Sequence, residues 1–300
     1  MLCRMTSRRN RYFTLLLCLL LQACSTPVGR LTELAGQYGF EQSRERAAGF
    51  DLLVFSNRAL IEQQHNTAKK AKPDVLRVYL EGDGSPWRSR VIVMPDPTPR
   101  NPLMLRLMSL DSNPAVYVGR PCYNGFSNEP DCDSSLWTSA RYSQSVVNSM
   151  SAGIRRLMES HGAQELWLIG HSGGGALAML LARELPEVTR IVTLAGNLDT
   201  DAWTWHHRYT PLFSSANPAK EPALRDDIWQ WHLVGGRDKI IPSQLVKPVI
   251  MAQPSASGFE FSRFNHGCCW ERVWPAVLEA LNTDNPRRMP AEQFKLRTAP

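Results

Sequence analysis

The sequence predicts an α/β fold with a mostly parallel central sheet and helices on both faces. Three observations carry that expectation. Short apolar runs of strand type recur near residues 50–55, 75–80, 115–118, 166–169, 190–194, 228–234 and 259–264. Helix-forming stretches lie between several of them, notably Tyr142 to Glu159 and Ala176 to Glu184, and strands alternating with helices build a parallel sheet. At one place the passage from strand to helix is a single tight turn, Gly170-His171-Ser172-Gly173-Gly174, with Leu166-Trp167-Leu168-Ile169 before it and Gly175 to Ala182 after it.

In chain order, the first 23 residues form a secretory signal. Arg4, Arg8, Arg9 and Arg11 make a positive start, and Phe13 to Leu21 is an apolar run too short to span a bilayer as a mature helix. Leu21-Gln22-Ala23-Cys24 then resembles a bacterial lipobox, which implies an acylated Cys24 as the mature N-terminus. Ser25 after that cysteine favours the periplasmic face of the outer membrane over the inner membrane. Residues 24–35 read as a tether. Without the signal the chain keeps thirty cations against 28 acids, a formal charge of +2, so no nucleic-acid partner follows from its charge. No zinc-spaced cysteine set and no dinucleotide fingerprint is present, so neither a metal nor another cofactor is expected.

About 276 mature residues suit one domain, here 36–282. The strand at 75–80 runs into the loop Glu81-Gly82-Asp83-Gly84-Ser85-Pro86-Trp87. Two insertions are expected to shape a pocket. One is Pro95 to Pro102 together with Gly119 to Trp137; the other, Asp199 to Asp227, is long enough only for a partial cap. Trp87, Trp137, Trp203, Trp205 and Trp270 are loop-borne and expected near its mouth. Beyond the strand at 228–234 comes Gly235-Gly236-Arg237-Asp238, and beyond the last strand, 259–264, comes Asn265-His266-Gly267. Asp238 and His266 thus each sit just past a strand end, where open α/β sheets place catalytic groups. The tail from 283 to 300 reads as flexible.

Gly170 to Gly174, the stretch 235–242 and Asn265-His266-Gly267, in that order, resemble the three catalytic segments of the α/β-hydrolase superfamily. The resemblance covers most of residues 36–282. It implies Ser172 as nucleophile, His266 as general base and Asp238 as the acid that orients it, with Asp199 as the alternative acid one strand earlier. His171, His206, His207 and His232 are assigned no catalytic role. The resemblance also implies an oxyanion hole from the backbone N–H of Gly173 and of Asp83. Where many relatives carry His-Gly this chain has Glu81-Gly82, so the Asp83 carboxylate must turn away or be tied by a hydrogen bond or an arginine. The implied activity is cleavage of an ester or thioester through an acyl-enzyme. An acyltransferase using the same intermediate and a non-catalytic envelope lipoprotein are the alternatives. The partners expected are a small or lipid-like acyl substrate and, through the anchor, a membrane.

Export makes disulfides the default for the four remaining cysteines. Cys122 and Cys132 can close a short loop, leaving Cys268 and Cys269 as a vicinal pair, unless both of these cross-link to the first loop instead.

Overall fold

The computed structural model of the chain describes residues 26–65, 74–89, 91–283 and 292–294. The signal segment and Cys24 lie outside them. Among the described residues no helix is long and apolar enough to cross a membrane.

A helix begins where the tether was expected. Thr26 accepts a hydrogen bond from the Gly29 N–H (3.0 Å) and Pro27 takes the first helical position, so α1 (Pro27–Gln37) has both a cap and a preset φ at its start. It buries Leu31 and Ala35. Next, β1 (Glu41–Ala47) and β2 (Phe50–Ser56) form a hairpin whose two-residue turn, Ala48-Gly49, has positive φ at both positions (46° and 90°). That turn matches the twist of the strands it joins. Sequence reading missed β1, because Glu41 to Arg46 are all polar and mostly exposed: the strand lies at the sheet edge.

The remaining elements follow as α2 (Arg58–His65), β3 (Val75–Leu80), the short hairpin β4 (Trp87–Arg88) and β5 (Ile92–Val93), α3 (Leu103–Met108), β6 (Ala115–Val118) and α4 (Gln144–His161). Then come β7 (Glu165–His171), α5 (Gly173–Glu184), β8 (Val188–Leu194), α6 (Thr200–His207), β9 (Trp229–Gly235), α7 (Ser243–Met251), β10 (Ala256–Phe261), α8 (Trp270–Asn282) and β11 (Glu292–Phe294). Within the expected tail, β11 pairs antiparallel with β10, Gly258 opposite Phe294. The last parallel strand ends at Phe261, three residues before its expected end; Phe264 leaves the strand and stacks on Phe261 with ring centroids 4.9 Å apart.

Among the described residues the main sheet has nine strands in the order β1-β2-β6-β3-β7-β8-β9-β10-β11. Its six central strands, β6 to β10 in that spatial order, are parallel. They are near-continuous apolar runs because both sheet faces are covered. On one face α4, α5 and α7 pack Val146, Ile154, Leu177, Leu181, Val246 and Ile250 into one core. On the other, α1, α3 and α8 pack Leu31, Leu105, Met108, Trp274 and Leu281 into a second. The α5 helix is buried from Gly173 to Ala182, which is why it is apolar all round. This is the α/β-hydrolase arrangement that the sequence predicted.

Chain direction across the sheet reverses at β3. From β3 the chain moves outward to β6, then returns to β7 on the other side of β3. Ligands bind outside the carboxyl ends of strands at such a switch point. The register sets Leu80 opposite Gly170, His171 opposite Leu194, and Gly235 opposite Phe261, so five strand ends and their loops meet along one edge.

Candidate active site

Ser172 occupies the turn between β7 and α5 with φ 52° and ψ −118°, a backbone region that costs a non-glycine residue on the order of 1–3 kcal/mol. The glycines around it serve close approach. A Cβ on Gly170 would run into the Gly174 backbone, and one on Gly174 into the Leu80 carbonyl. The turn therefore presses against β3 and lifts Ser172 into the cavity. Ser172 Oγ makes no hydrogen bond among the described residues; catalytic hydrogen bonds are often long before substrate binds and tighten with it.

His266 stands at the same cavity. Its Nδ1–H donates to Asp238 Oδ2 at 2.8 Å, which leaves Nε2 with the lone pair a base needs. The other oxygen of Asp238 accepts from the N–H groups of Ile240 and Ile241, at 2.8 and 2.9 Å. The Asp238 side chain is fully buried and that of His266 is 21 % exposed. Asp199, by contrast, caps α6: its Oδ1 accepts from the N–H of Asp201 and Ala202 and from Asn217 Nδ2. His232 is buried in β9 against Thr193 Oγ1 at 2.8 Å, and His206 and His207 lie in α6.

The loop after β3 lies against Ser172; a Cβ on Gly82 would be 3.3 Å from Ser172 Cβ. The Gly82 N–H is taken by Glu81 Oε1 and the Ser85 N–H by the Pro97 carbonyl. The Asp83 N–H has no partner among the described residues. Nor does α5 itself supply an acceptor for Gly173, the first residue of the helix. The Asp83 carboxylate abuts Gly173, where a free negative charge would oppose an oxyanion. It is clamped by Arg120 Nη1 (2.8 Å), Arg141 Nη1 (3.0 Å) and the Tyr142 hydroxyl (2.7 Å). Burial alone would raise its pKa; Arg120, Arg141 and Tyr142 outweigh that and hold it at about 2. Two guanidiniums against one carboxylate leave the cluster net positive. Arg120, Arg141 and Tyr142 were not picked out from sequence. Arg120 follows β6 by two residues and Tyr142 precedes α4 by two, spacings that carry no motif.

Behind the histidine lies a second layer that the sequence also hid. His171 Nε2–H donates to the His266 carbonyl at 2.9 Å, and Trp270 Nε1–H donates to the same oxygen at 3.1 Å. The His171 and His266 rings sit 4.7 Å apart. Burial, reinforced by repulsion from His266, lowers the His171 pKa to about 3, so its ring is neutral. His171→Phe should therefore lower kcat for a soluble ester about tenfold, leaving KM unchanged, because the His266 loop loses one of two anchors and base placement tolerates little error. His171→Gln, which can still donate, should recover most of it. Equal kcat for both variants and wild type would dismiss the anchoring role.

Glu81 is the remaining ionisable group of the layer, 4.0 Å from His171 Nδ1. Burial raises its pKa from 4.5 to about 7, against the lowering effect of hydrogen bonds from the Met104 and Gly82 N–H groups and of Arg106 and Arg120. A folded-state pKa above the unfolded one favours the fold below pH 4.5, and the benefit is lost as pH rises through 7. The loss is about 3 kcal/mol. His171 and His232, both lowered from 6.5 to about 3, act oppositely, their contribution rising between those two values. The difference between Glu81→Gln and wild type isolates Glu81: the melting temperature of the variant relative to wild type should climb from pH 4.5 to 7.5. A flat difference would mean that Glu81 titrates as in the unfolded chain.

The cavity over Ser172 and His266 has a volume of about 750 Å³. Trp87, Pro99, Trp203, Pro211, Leu212 and Ile240 give it an apolar lining, with Ser85, Asn101, Thr138 and Arg141 as polar points. The cap is small, as expected, and is pinned to the acid loop by Trp203 Nε1–H and His207 Nε2–H, which both donate to the Ile240 carbonyl. Of the five tryptophans expected at the mouth, Trp87 and Trp203 line the cavity and Trp205 is exposed. Trp137 and Trp270 are buried in the body, Trp270 under His266 between Phe261 and Phe264. The cysteines pair as Cys122–Cys132 and Cys268–Cys269.

The class 3 lipase family model matches residues 114–192, the segment from β6 to β8 that holds Ser172. No relative was found among curated proteins. Among solved structures, an esterase of Pyrococcus furiosus superposes with a TM-score of 0.56 at 11 % identity, over 83 % of this chain and 90 % of its own. A lidless α/β serine hydrolase of Xanthomonas campestris gives 0.51 at 13 %, over 84 % and 96 %. A bacterial membrane phospholipase A gives 0.54 at 13 %, over 93 % and 97 %. At these identities the likeness is one of fold.

Proposed function

We propose that this α/β-hydrolase-fold chain is a lipid-anchored serine hydrolase of a bacterial envelope, cleaving a carboxylic ester or thioester through an acyl-enzyme. The observation that carries it is the Asp238–His266 pair at the cavity into which the strained Ser172 turn projects. His266 Nε2 takes the Ser172 proton as Oγ attacks the acyl carbon. Asp238 holds the ring in the required tautomer and stabilises the imidazolium that forms. The oxyanion accepts from the N–H of Gly173 and of Asp83, beside a cluster made net positive by Arg120 and Arg141. Collapse transfers the proton from His266 to the leaving oxygen or sulfur and leaves Ser172 acylated; water, deprotonated by His266, then releases the acid. The apolar lining fits an acyl chain rather than a charged substrate.

The anchor rests on Leu21-Gln22-Ala23-Cys24, and Ser25 after it supports the outer membrane's periplasmic face. The test has two readouts on one sample. A fluorophosphonate probe should label the membrane-extracted protein on the Ser172 peptide, and the mature N-terminal peptide should begin at an acylated Cys24. Absence of the label refutes the hydrolase; an unmodified Cys24 refutes the anchor.

A further inference from the structure

We propose that the rim of the catalytic cavity is a membrane-docking surface for an anionic bilayer, and that the chain works with its mouth turned onto the lipid. The inference rests on the anchored-hydrolase reading above and adds which face meets the membrane.

Ten large apolar side chains are exposed among the described residues, and seven of them lie on the segments that border this mouth, where Trp87, Tyr209 and Ile240 line the cavity itself. Three come from the β4–β5 hairpin (Trp87, Val91 and Ile92), three from the cap (Trp205, Tyr209 and Phe213), and one, Ile240, from the acid loop. The outermost are far from half-buried: Trp205 is 87 % exposed, Phe213 82 % and Val91 79 %. Exposed apolar side chains gathered on segments around one cavity mark an interaction surface, and tryptophan among them suits a headgroup boundary. Exposed cations lie on the same segments or at the cavity: Arg88 on the hairpin, Arg100 at the cavity, Arg208 at the end of α6 and Lys239 on the loop of Asp238. That combination fits anionic headgroups above acyl chains.

The path of the chain supplies the second argument. Val28, in the first turn of α1, lies against Gly125, just past the carboxyl end of β6. The other end of α1 lies at the opposite sheet edge, where Tyr38 accepts from Arg58 Nε, next to Asn57, whose N–H reaches Ala115 at the start of β6. So α1 starts at the same edge as Ser172. Cys24 precedes Pro27 by three residues, which span about 11 Å at most. An acyl anchor there holds the catalytic edge at the lipid, and hydrophobic residues at the rim need not search for it.

The test places the full mature chain on vesicles of phosphatidylethanolamine and phosphatidylglycerol. The emission of Trp205 is isolated as the difference between wild type and Trp205→Phe. It should shift to the blue and fall roughly twofold when the acyl chains are brominated, as expected for a side chain a few ångströms below the headgroups. Ile92→Ser with Phe213→Ser, neither of which lines the cavity, should slow hydrolysis of a bilayer-held ester about tenfold and leave a soluble p-nitrophenyl ester unchanged. Unquenched Trp205, or equal effects on both esters, overturns the docking surface. So does a dimer in solution that buries Trp205. An acylated Cys24 with unquenched Trp205 keeps the anchor and loses the rim; a bare Cys24 with Trp205 quenched by added vesicles loses the anchor and keeps the rim.

Discussion

Ser172→Ala is expected to lower turnover of a short p-nitrophenyl ester by at least about 10⁴-fold, with KM little changed and the melting temperature within a degree or two of wild type. The size of the loss follows from removing the covalent route: without Oγ, His266 has no nucleophile to activate, and only oxyanion stabilisation and binding remain. The unchanged stability follows from the structure, since among the described residues Oγ makes no hydrogen bond whose partner would be left unsatisfied. The backbone offers an internal control. At φ 52° an alanine carries the same strain as the serine, whereas a glycine does not. Ser172→Gly should be equally inactive but more stable than Ser172→Ala by about 1 kcal/mol. Esterase activity near wild-type level in either variant would remove Ser172 as nucleophile. A glycine variant less stable than the alanine one would mean that the turn relaxes its strain.

Most of what orders the site was legible because it is local. Gly170 to Gly174 between an apolar strand and an apolar helix specifies a turn with no room for a Cβ at its glycines, and the positions of Asp238 and His266 follow from strand ends that hydrophobic runs reveal. What stayed hidden is held together across long sequence separations. The Asp83 clamp joins residues 37, 58 and 59 positions apart, and neither helical nor strand periodicity connects them. Sequence logic demanded only that the carboxylate be tied; it could not say to what. The second layer is hidden for the same reason: His171 reaches His266 over 95 residues. The edge strand β1 was missed because it has no apolar face to leave a period of two. The start of α1, by contrast, carries a local signal. Thr26-Pro27 is a helix start, and Leu31 and Ala35 lie four apart on one face, which a tether would not need.

Asp238→Asn should cost about 10⁴-fold in kcat, and Asp199→Asn almost nothing. Both substitutions are nearly isosteric, so the difference lies in what each carboxylate does. Asp199 Oδ1 is a helix cap accepting from two backbone N–H groups and from Asn217, and asparagine caps as well as aspartate. Asp238 divides its two oxygens between two tasks. Oδ1 accepts from the N–H groups of Ile240 and Ile241, and Oδ2 accepts the Nδ1–H of His266. An asparagine has one acceptor oxygen, and the two amides compete for it with the imidazole. Turned the other way, its NH₂ would face two N–H donors, so the carbonyl oxygen goes to the amides and the NH₂ faces His266. The imidazole must then accept at Nδ1 and carry its proton on Nε2, where it cannot take one from Ser172. The fold survives this exchange because every buried group still has a partner; catalysis does not, because the base points its proton at the nucleophile. Steady-state kinetics of the two variants on one ester, with melting temperatures alongside, decide the assignment. A large loss in Asp199→Asn with Asp238→Asn near wild type would move the orienting acid to the loop after β8.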